Sequence, residues 1–359
     1  MKLLIQPGDG PEALLAGIRN AKKTIEIAIF RFDRAEIESA LKAAVGRGVT
    51  VHALIAYTNR GGELNLRKLE MRLLSVGAAV SRTADDLVRY HDKVMIIDRR
   101  LLYVLSFNFT HLDIDHSRGF GIITRNARLI QEAVKLFEAD TTRNPYTPTL
   151  DTFVVSPANA RKVLGEFIRK AKKELLIYDP KIADEEMLRA LSERLKAGVE
   201  IKVIGSVSKQ GRGLEVRDLA KMRLHTRTII RDRRQAFLGS QSLRTAELDS
   251  RREVGVIVHE SKVVNGLIKA FEADWAAGTL DANPQSEANL KDIKKAVKEL
   301  VKELSPLNPI VEEALAEAEA ESGNPSLNPQ EMKETVKEAV KEAVRERVEE
   351  MVTESLIKS

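Results

Sequence analysis

The sequence predicts an α/β fold: two pseudo-symmetric lobes, each an α/β/α layering around a mixed sheet, followed by an all-α tail. Three observations predict it. The first is an internal repeat, in which Ile18-Arg19-Asn20-Ala21-Lys22-Lys23 recurs as Ile168-Arg169-Lys170-Ala171-Lys172-Lys173 and Gly48-Val49 as Gly198-Val199, both at an offset of 150. Further on, Leu136-Phe137-Glu138-Ala139-Asp140 matches Ala270-Phe271-Glu272-Ala273-Asp274 at an offset of 134, so the second copy has lost 16 residues between the two blocks. The second is alternation of strand and helix patterns within each copy, which implies a parallel or mixed sheet covered by helices. The third is a change of character after Trp275, where a linker gives way to charge-rich helical stretches. The expected bodies are a first lobe over 1–146, a second over 147–280 and a tail over 285–359.

In chain order, TIEIAIFRF and VTVHALIA read as strands of the first copy, ELLIYDP and VEIKVIGS as their equivalents, because β-branched and apolar residues dominate each run. IESALKAAVGRG and MLRALSERLKAG read as helices that end near glycine. TTRNPYTPTLDT, residues 141–152, has the Pro, Thr and Asn content of a connector between copies. The tail predicts helices near 288–304, 309–321 and 330–357. In the last, Val336, Val340, Val344, Val348 and Val352 form an apolar stripe that fits docking on the body or on a second copy better than a membrane surface.

Composition narrows the chemistry. With 359 residues, 43% of them hydrophobic, the chain can bury a full core. The absence of cysteine excludes disulfides, thiolate metal sites and a cysteine nucleophile. MKLLIQPGDGPEALL lacks a signal-peptide pattern and no 18-residue apolar run occurs, so the expected location is cytoplasmic, at most peripheral on a membrane. Residues 285–359 carry 11 Lys/Arg against 17 Asp/Glu, a net −6, which leaves 47 basic and 36 acidic residues, a net +11, in 1–284. A basic body suits a polyanion such as nucleic acid or an acidic lipid surface.

The motif that carries chemistry is His91-Asp92-Lys93-Val94-Met95-Ile96-Ile97-Asp98, which is HxKxxxxD on an apolar strand, with His91 and Lys93 on one face. His225-Thr226-Arg227-Thr228-Ile229-Ile230-Arg231-Asp232 repeats it with arginine for lysine, 134 residues later, the offset of the repeat itself. By composition such a match accompanies a given histidine in roughly one case in 150. Two such halves facing each other supply one imidazole to attack phosphorus, another to protonate the leaving oxygen, and two cations, Lys93 and Arg227, for the non-bridging oxygens. That arrangement calls for no metal and no cofactor. His52 and His259, at strand positions, read as structural, His111 and His116 as loop residues near the cleft rim. Arg60-Gly61-Gly62 and Gln210-Gly211-Arg212-Gly213 are glycine-bearing loops at matching places.

The paired motif, the trailing Ser106-Phe107-Asn108 and Gly239-Ser240-Gln241-Ser242, and Arg251-Arg252-Glu253-Val254-Gly255 together resemble the phospholipase D superfamily, most of all bacterial proteins grouped with cardiolipin and phosphatidylserine synthases. The resemblance covers about 1–276. It implies that His91 is a nucleophile forming a phosphohistidine and that His225 is the general acid. It implies that Ser106, Asn108 and Ser240, with Ser242 where the first copy has Asn108, line the phosphate site, and that Asp98 and Asp232 anchor their strands. It also implies that Glu253 orients His91 from the opposite lobe. This sequence departs from the pattern at Gly119, which stands where Glu253 has its counterpart, so His225 lacks the usual orienting carboxylate; Asp113 or Asp115 is the available substitute. The expected function is a metal-independent phosphodiesterase or phosphatidyltransferase acting on an anionic phospholipid. The alternatives are a nuclease using the same site on DNA or RNA, and a weakly active or inactive phosphate-binding scaffold whose tail assembles it with copies of itself, by homo-oligomerisation, or with partners.

Overall fold

The computed structural model describes residues 1–57, 63–208 and 213–280. The tail helices, Arg60-Gly61-Gly62 and Gln210-Gly211-Arg212 lie outside the described residues. The first half runs β1 (Lys2–Gln6), α1 (Glu12–Asn20), β2 (Thr24–Ala28), α2 (Ala35–Gly46), β3 (Thr50–Ile55), α3 (Glu63–Ser75) and β4 (Ala79–Arg82). It continues through β5 (Arg89–Tyr90), β6 (Val94–Ile97), β7 (Leu101–Leu105), α4 (His111–Asp115), β8 (Ser117–Thr124) and α5 (Ala127–Thr142). The second half runs β9 (Phe153–Ser156), α6 (Ala160–Arg169), β10 (Glu174–Ile182), α7 (Glu185–Lys196), β11 (Glu200–Val207) and β12 (Glu215–Asp218). Then come β13 (Arg223–Leu224), β14 (Arg227–Arg231), β15 (Gln235–Gly239), α8 (Thr245–Asp249), β16 (Arg251–Val258), α9 (Ser261–Ala277) and β17 (Thr279–Leu280). Both halves belong to one compact unit.

Each half builds a mixed sheet, as the alternation of elements predicts. The first is ordered β1-β8-β7-β6-β2-β3-β4, with β2, β3 and β4 parallel and the remainder antiparallel. The second is ordered β17-β12-β11-β10-β14-β15-β16-β5, with β9 on β16. Of the 16 residues that the second copy lacks, 14 fall where the first has α3: His52 pairs with Ala79, 27 positions on, and its equivalent Lys202 with Glu215, 13 positions on.

The apolar runs of the central strands are continuous because both faces are buried. On β6, Val94 and Ile96 join a core cluster shared by both halves, whereas Met95 and Ile97 face a cluster that includes α1 and α2 residues. On β15, Ala236 and Leu238 join the shared cluster and Phe237 the second half's own. The period of two thus sorts each strand between an outer core and a common one. α5 and α9 supply Leu136, Phe137, Leu267 and Phe271 to the common core.

The two halves exchange short strands. β5, from the first half, pairs parallel with β16, and β13, from the second, pairs parallel with β8. Each exchange is fastened by a buried ion pair that also crosses between halves. Arg252 on β16 donates to Asp140 of α5 at 2.9 Å and to the Ser156 carbonyl at 3.1 Å. Its equivalent Arg118 on β8 forks onto Asp274 of α9 with two bonds of 2.8 Å, and Asp274 also accepts the Tyr178 hydroxyl at 2.7 Å. The repeated Phe-Glu-Ala-Asp blocks therefore end in the two carboxylates that receive these arginines.

Asp98 and Asp232 hold the far ends of the motif strands. In the β6–β7 hairpin Asp98 and Arg99 both adopt φ of 52°, and in the β14–β15 hairpin Asp232 and Arg233 adopt 51° and 55°. Each hairpin turns through three residues, Asp98 to Arg100 and Asp232 to Arg234, of which the first two carry positive φ, a backbone that aspartate tolerates. Each carboxylate then accepts backbone amides at the start of a neighbouring strand: Lys22, Lys23 and Thr24 for Asp98, and Lys172, Lys173 and Glu174 for Asp232. The repeated Lys-Lys blocks are the partners of these aspartates, whose pKa values are lowered: burial opposes the shift and the backbone hydrogen bonds outweigh it.

Two stability effects are expected. Asp98→Ala removes charge-assisted hydrogen bonds and leaves an alanine in a left-handed turn, which costs about 2–3 kcal/mol in urea unfolding. Arg118→Ala leaves the Asp274 carboxylate in the interior without its cation, with the Tyr178 hydroxyl still donating to it, at a cost of about 3–5 kcal/mol by the same measurement.

Candidate active site

His91 and His225 emerge at the ends of the exchanged strands. The Tyr90–Arg252 pairing continues one residue further as a bond from the His91 amide to the Arg252 carbonyl, 2.8 Å, which brings His91 alongside Glu253. In the other half the His225 amide bonds the Arg118 carbonyl at 3.1 Å, which brings His225 alongside Gly119. Each histidine is thus registered against the strand of the opposite half. The expected continuous strand is interrupted here: residues 91–93 lie between β5 and β6, and regular pairing resumes at Val94, because the chain is crossing from one sheet to the other.

The first motif is tightly specified. His91 Nδ1 lies 3.0 and 3.1 Å from the two carboxylate oxygens of Glu253, which is fully buried. Lys93 Nζ lies 3.1 Å from His91 Nε2 and donates to the His91 carbonyl at 2.6 Å. An ammonium group can only donate, so Nε2 is the acceptor and Nδ1 carries the proton toward Glu253. Burial raises the Glu253 carboxyl to about 6 and lowers the Lys93 ammonium to about 8. Burial, with the positive charges of Lys93, Arg227 and Arg89, holds His91 well below its ordinary value, so this imidazole is neutral.

The second motif has the same plan with different parts. Arg227 Nη1 donates to the His225 carbonyl at 3.1 Å, as Lys93 does to that of His91, and its Nε donates to Ser242 Oγ at 3.1 Å. Position 119 offers no side chain; a Cβ there would meet the Phe107 ring at 3.0 Å. The carboxylate that comes near is that of Asp113, with Oδ2 3.3 Å from His225 Nδ1. Asp115 is engaged elsewhere, by Arg34 at 2.6 Å and by His111. His225 is held well below its ordinary pKa by burial, which outweighs the opposing pull of Asp113.

Lys93 and Arg227 each act electrostatically on both histidines, and Lys93 feels Glu253 and Asp113 from opposite sides, so the two motifs make one site. Further basic groups lie beside His91: the Phe30 ring packs edge-on against it at 4.9 Å, and the guanidinium groups of Arg89 and Arg31 lie 5.1 and 5.8 Å from that ring. Phe30, Arg31 and Arg89 were not legible as site residues, because nothing in a local motif ties them to His91. Among the described residues no three His, Asp or Glu side chains converge as metal ligands would.

The serines and Asn108 are buried and hydrogen-bonded within the protein. Ser106 and Ser240 are fully buried, and their hydroxyls accept the amides of Phe120 at 2.9 Å and Val254 at 3.2 Å, bracing the strands that carry Gly119 and Glu253. Asn108 accepts the Arg31 amide and donates to Asp113. Ser242 is spent on Arg227. Asp98 and Asp232 sit at the other ends of their strands and touch neither histidine. His52 bonds Ser81 and packs on Phe137, and His111, His116 and His259 are exposed.

Comparison with known proteins agrees with this arrangement. The family described as cardiolipin synthase, phospholipase D-like domain matches residues 14–141 and 164–275, once in each half. The phosphatidylserine synthase of Haemophilus influenzae Rd KW20 is similar in fold, with a TM-score of 0.63 at 10% identity over 86% of this chain and 93% of that one. Polyphosphate kinase from Porphyromonas gingivalis gives a TM-score of 0.63 at 20% identity over 76% of this chain, which spans about half (50%) of the kinase. Nuc from Salmonella typhimurium, a phospholipase D family member, matches 40% of the chain at 22% identity with a TM-score of 0.35, over 95% of its own length. No curated protein matches the chain. With both halves matched by its model, the chain belongs to the cardiolipin synthase, phospholipase D-like domain family.

Proposed function

We propose that this protein is a metal-independent phosphodiesterase or phosphatidyltransferase that acts on an anionic phospholipid through a phosphohistidine. Membership of the family implies phosphodiester or phosphoryl transfer chemistry. The observation that carries the finer reading is the hydrogen-bond pattern of His91, whose Nδ1–H faces Glu253 while its Nε2 lone pair faces Lys93. A substrate phosphate entering beside Lys93 takes the ammonium group as a partner for a non-bridging oxygen and frees Nε2 to attack. The new N–P bond forms as the bond from phosphorus to the leaving oxygen breaks. The proton on His225 passes to that oxygen. His225 then accepts a proton from water or an alcohol, whose oxygen attacks phosphorus and expels His91 unchanged. Lys93 and Arg227 stabilise the charge on the equatorial oxygens in both steps.

A nuclease is the second reading. Phe30, Arg31 and Arg89 beside His91 favour it, together with the net +11 of residues 1–284. Binding of an oligonucleotide would then weaken steeply with salt.

The expected outcome is turnover of phosphatidylglycerol vesicles in excess EDTA, abolished by His91→Ala. Turnover of a labelled oligonucleotide instead would select the nuclease reading, and turnover of neither would overturn both in favour of a phosphate-binding scaffold. The pH profile is a further expectation. His225 must hold a proton to act as acid, and its pKa is depressed below 6.5, so the competent fraction falls as pH rises through that lowered value. The optimum of kcat/KM should lie on the acid side of pH 6.5, with a decline of about tenfold per pH unit above it.

A further inference from the structure

We propose that Asp113 is the positioning residue of His225, doing from α4 in its own half's sequence neighbourhood what no residue at position 119 can do. The proposal rests on the reading of His91 and His225 as one catalytic pair, and it fixes how the second member is held.

The geometry is that of a relocated carboxylate. Opposite His91 the orienting acid sits in register on β16; opposite His225 the same register position is Gly119, and the space beside it is filled by Phe107, a fully buried ring. Asp113 reaches His225 from six residues earlier in the chain. It is 3% exposed and firmly aimed: Oδ2 accepts the Asn108 amide and side-chain nitrogen, both at 2.8 Å, and Oδ1 accepts Arg223 at 2.6 Å. These partners leave the carboxylate facing His225 Nδ1 at 3.3 Å, and that nitrogen is buried with no hydrogen-bond partner of its own. The acceptor within reach of an Nδ1–H is Asp113, and a small turn of the ring completes the bond.

The charges around Asp113 are consistent with that role. Burial works to raise it, but His225, Arg223 and the two bonds from Asn108 outweigh burial, so it is an anion. The groups that face His225 are Asp113 on α4, Arg223 on β13, Arg227 on β14 and Lys93 ahead of β6; Asp113 is the one that favours a protonated imidazole. The equivalent of Asp113 in the other half, Glu247, accepts the Ser242 amide at 2.8 Å just as Asp113 accepts that of Asn108. Both residues therefore cap the loop that follows the motif hairpin. Asp113 alone of the two has a histidine Nδ1 in contact.

The test separates loop capping from positioning. Histidine ring nitrogens are read by long-range proton–nitrogen NMR in the wild-type protein and in Asp113→Asn, Asp113→Glu and Glu247→Gln. Wild type should show His225 as the Nδ1–H tautomer. Asp113→Asn should lower the His225 pKa and mix its tautomers while the His91 signals stay in place, and Asp113→Glu should restore the wild-type tautomer. With turnover, Asp113→Asn should lower kcat about 10²-fold with KM within about twofold, and Asp113→Glu should recover part of the loss. An unchanged His225 tautomer and pKa in Asp113→Asn, or the same change at His225 in Glu247→Gln, would overturn the proposal. The NMR result decides this even if neither lipid nor nucleic acid is turned over, so failure of the enzymatic reading is told apart from failure of this one.

Discussion

Arg118 and Arg252 lie next to the residues that face the two histidines, and each is fastened to a carboxylate at the end of the other half's last helix. Their side chains stand in a buried setting where a lone guanidinium would be costly, so the pairing is satisfied in one register of strand against strand and penalised in others. One residue further along, that register decides which atom meets His91 or His225. The ion pairs matter less for their net contribution to stability than for the precision they impose on two imidazoles drawn from distant parts of the chain.

Much of this was legible in the sequence, and for identifiable reasons. The repeat offset locates equivalent positions, and the apolar runs mark the central strands because strands buried on both faces lose their polar alternation. Glu253 was legible through the resemblance, which places an orienting carboxylate after the motif, and aligning the two copies on it exposed Gly119 as the departure. The roles of Ser106 and Ser240 were not, because a hydroxyl in a motif says nothing about whether it faces a cleft or a neighbouring backbone amide. Arg31 and Arg89 escaped notice for a related reason: the fold brings the Phe30-Arg31 segment against Arg89 and His91, and sequence spacing does not carry that information. Asp113 was one of two candidates, and what separated it from Asp115 was the helical turn of α4, which puts residues two apart on different sides; Asp115 turns to Arg34 instead.

The two half-sites share a backbone plan yet differ in almost every polar detail. One imidazole is gripped by both oxygens of a glutamate and shadowed by a lysine; the other stands beside a single aspartate oxygen and a guanidinium whose Nε is tied to a serine. Burial holds both imidazoles well below their ordinary pKa, so the difference between them lies in their hydrogen-bond partners. Arginine in place of lysine adds to the difference, since its planar fork can grip two phosphate oxygens where an ammonium group acts as a point charge.

The exchanged strands also bear on how such a molecule could have arisen. Two identical copies of one half, meeting about a twofold axis, would be bound to treat both histidines alike, since any substitution would appear on both sides at once. Joining the copies into one chain lifts that constraint, and a glycine can then stand at one orienting position while glutamate stays at the other. Gly119 and Glu253 show that freedom in use: the backbone keeps the twofold plan, and the side chains at equivalent positions differ.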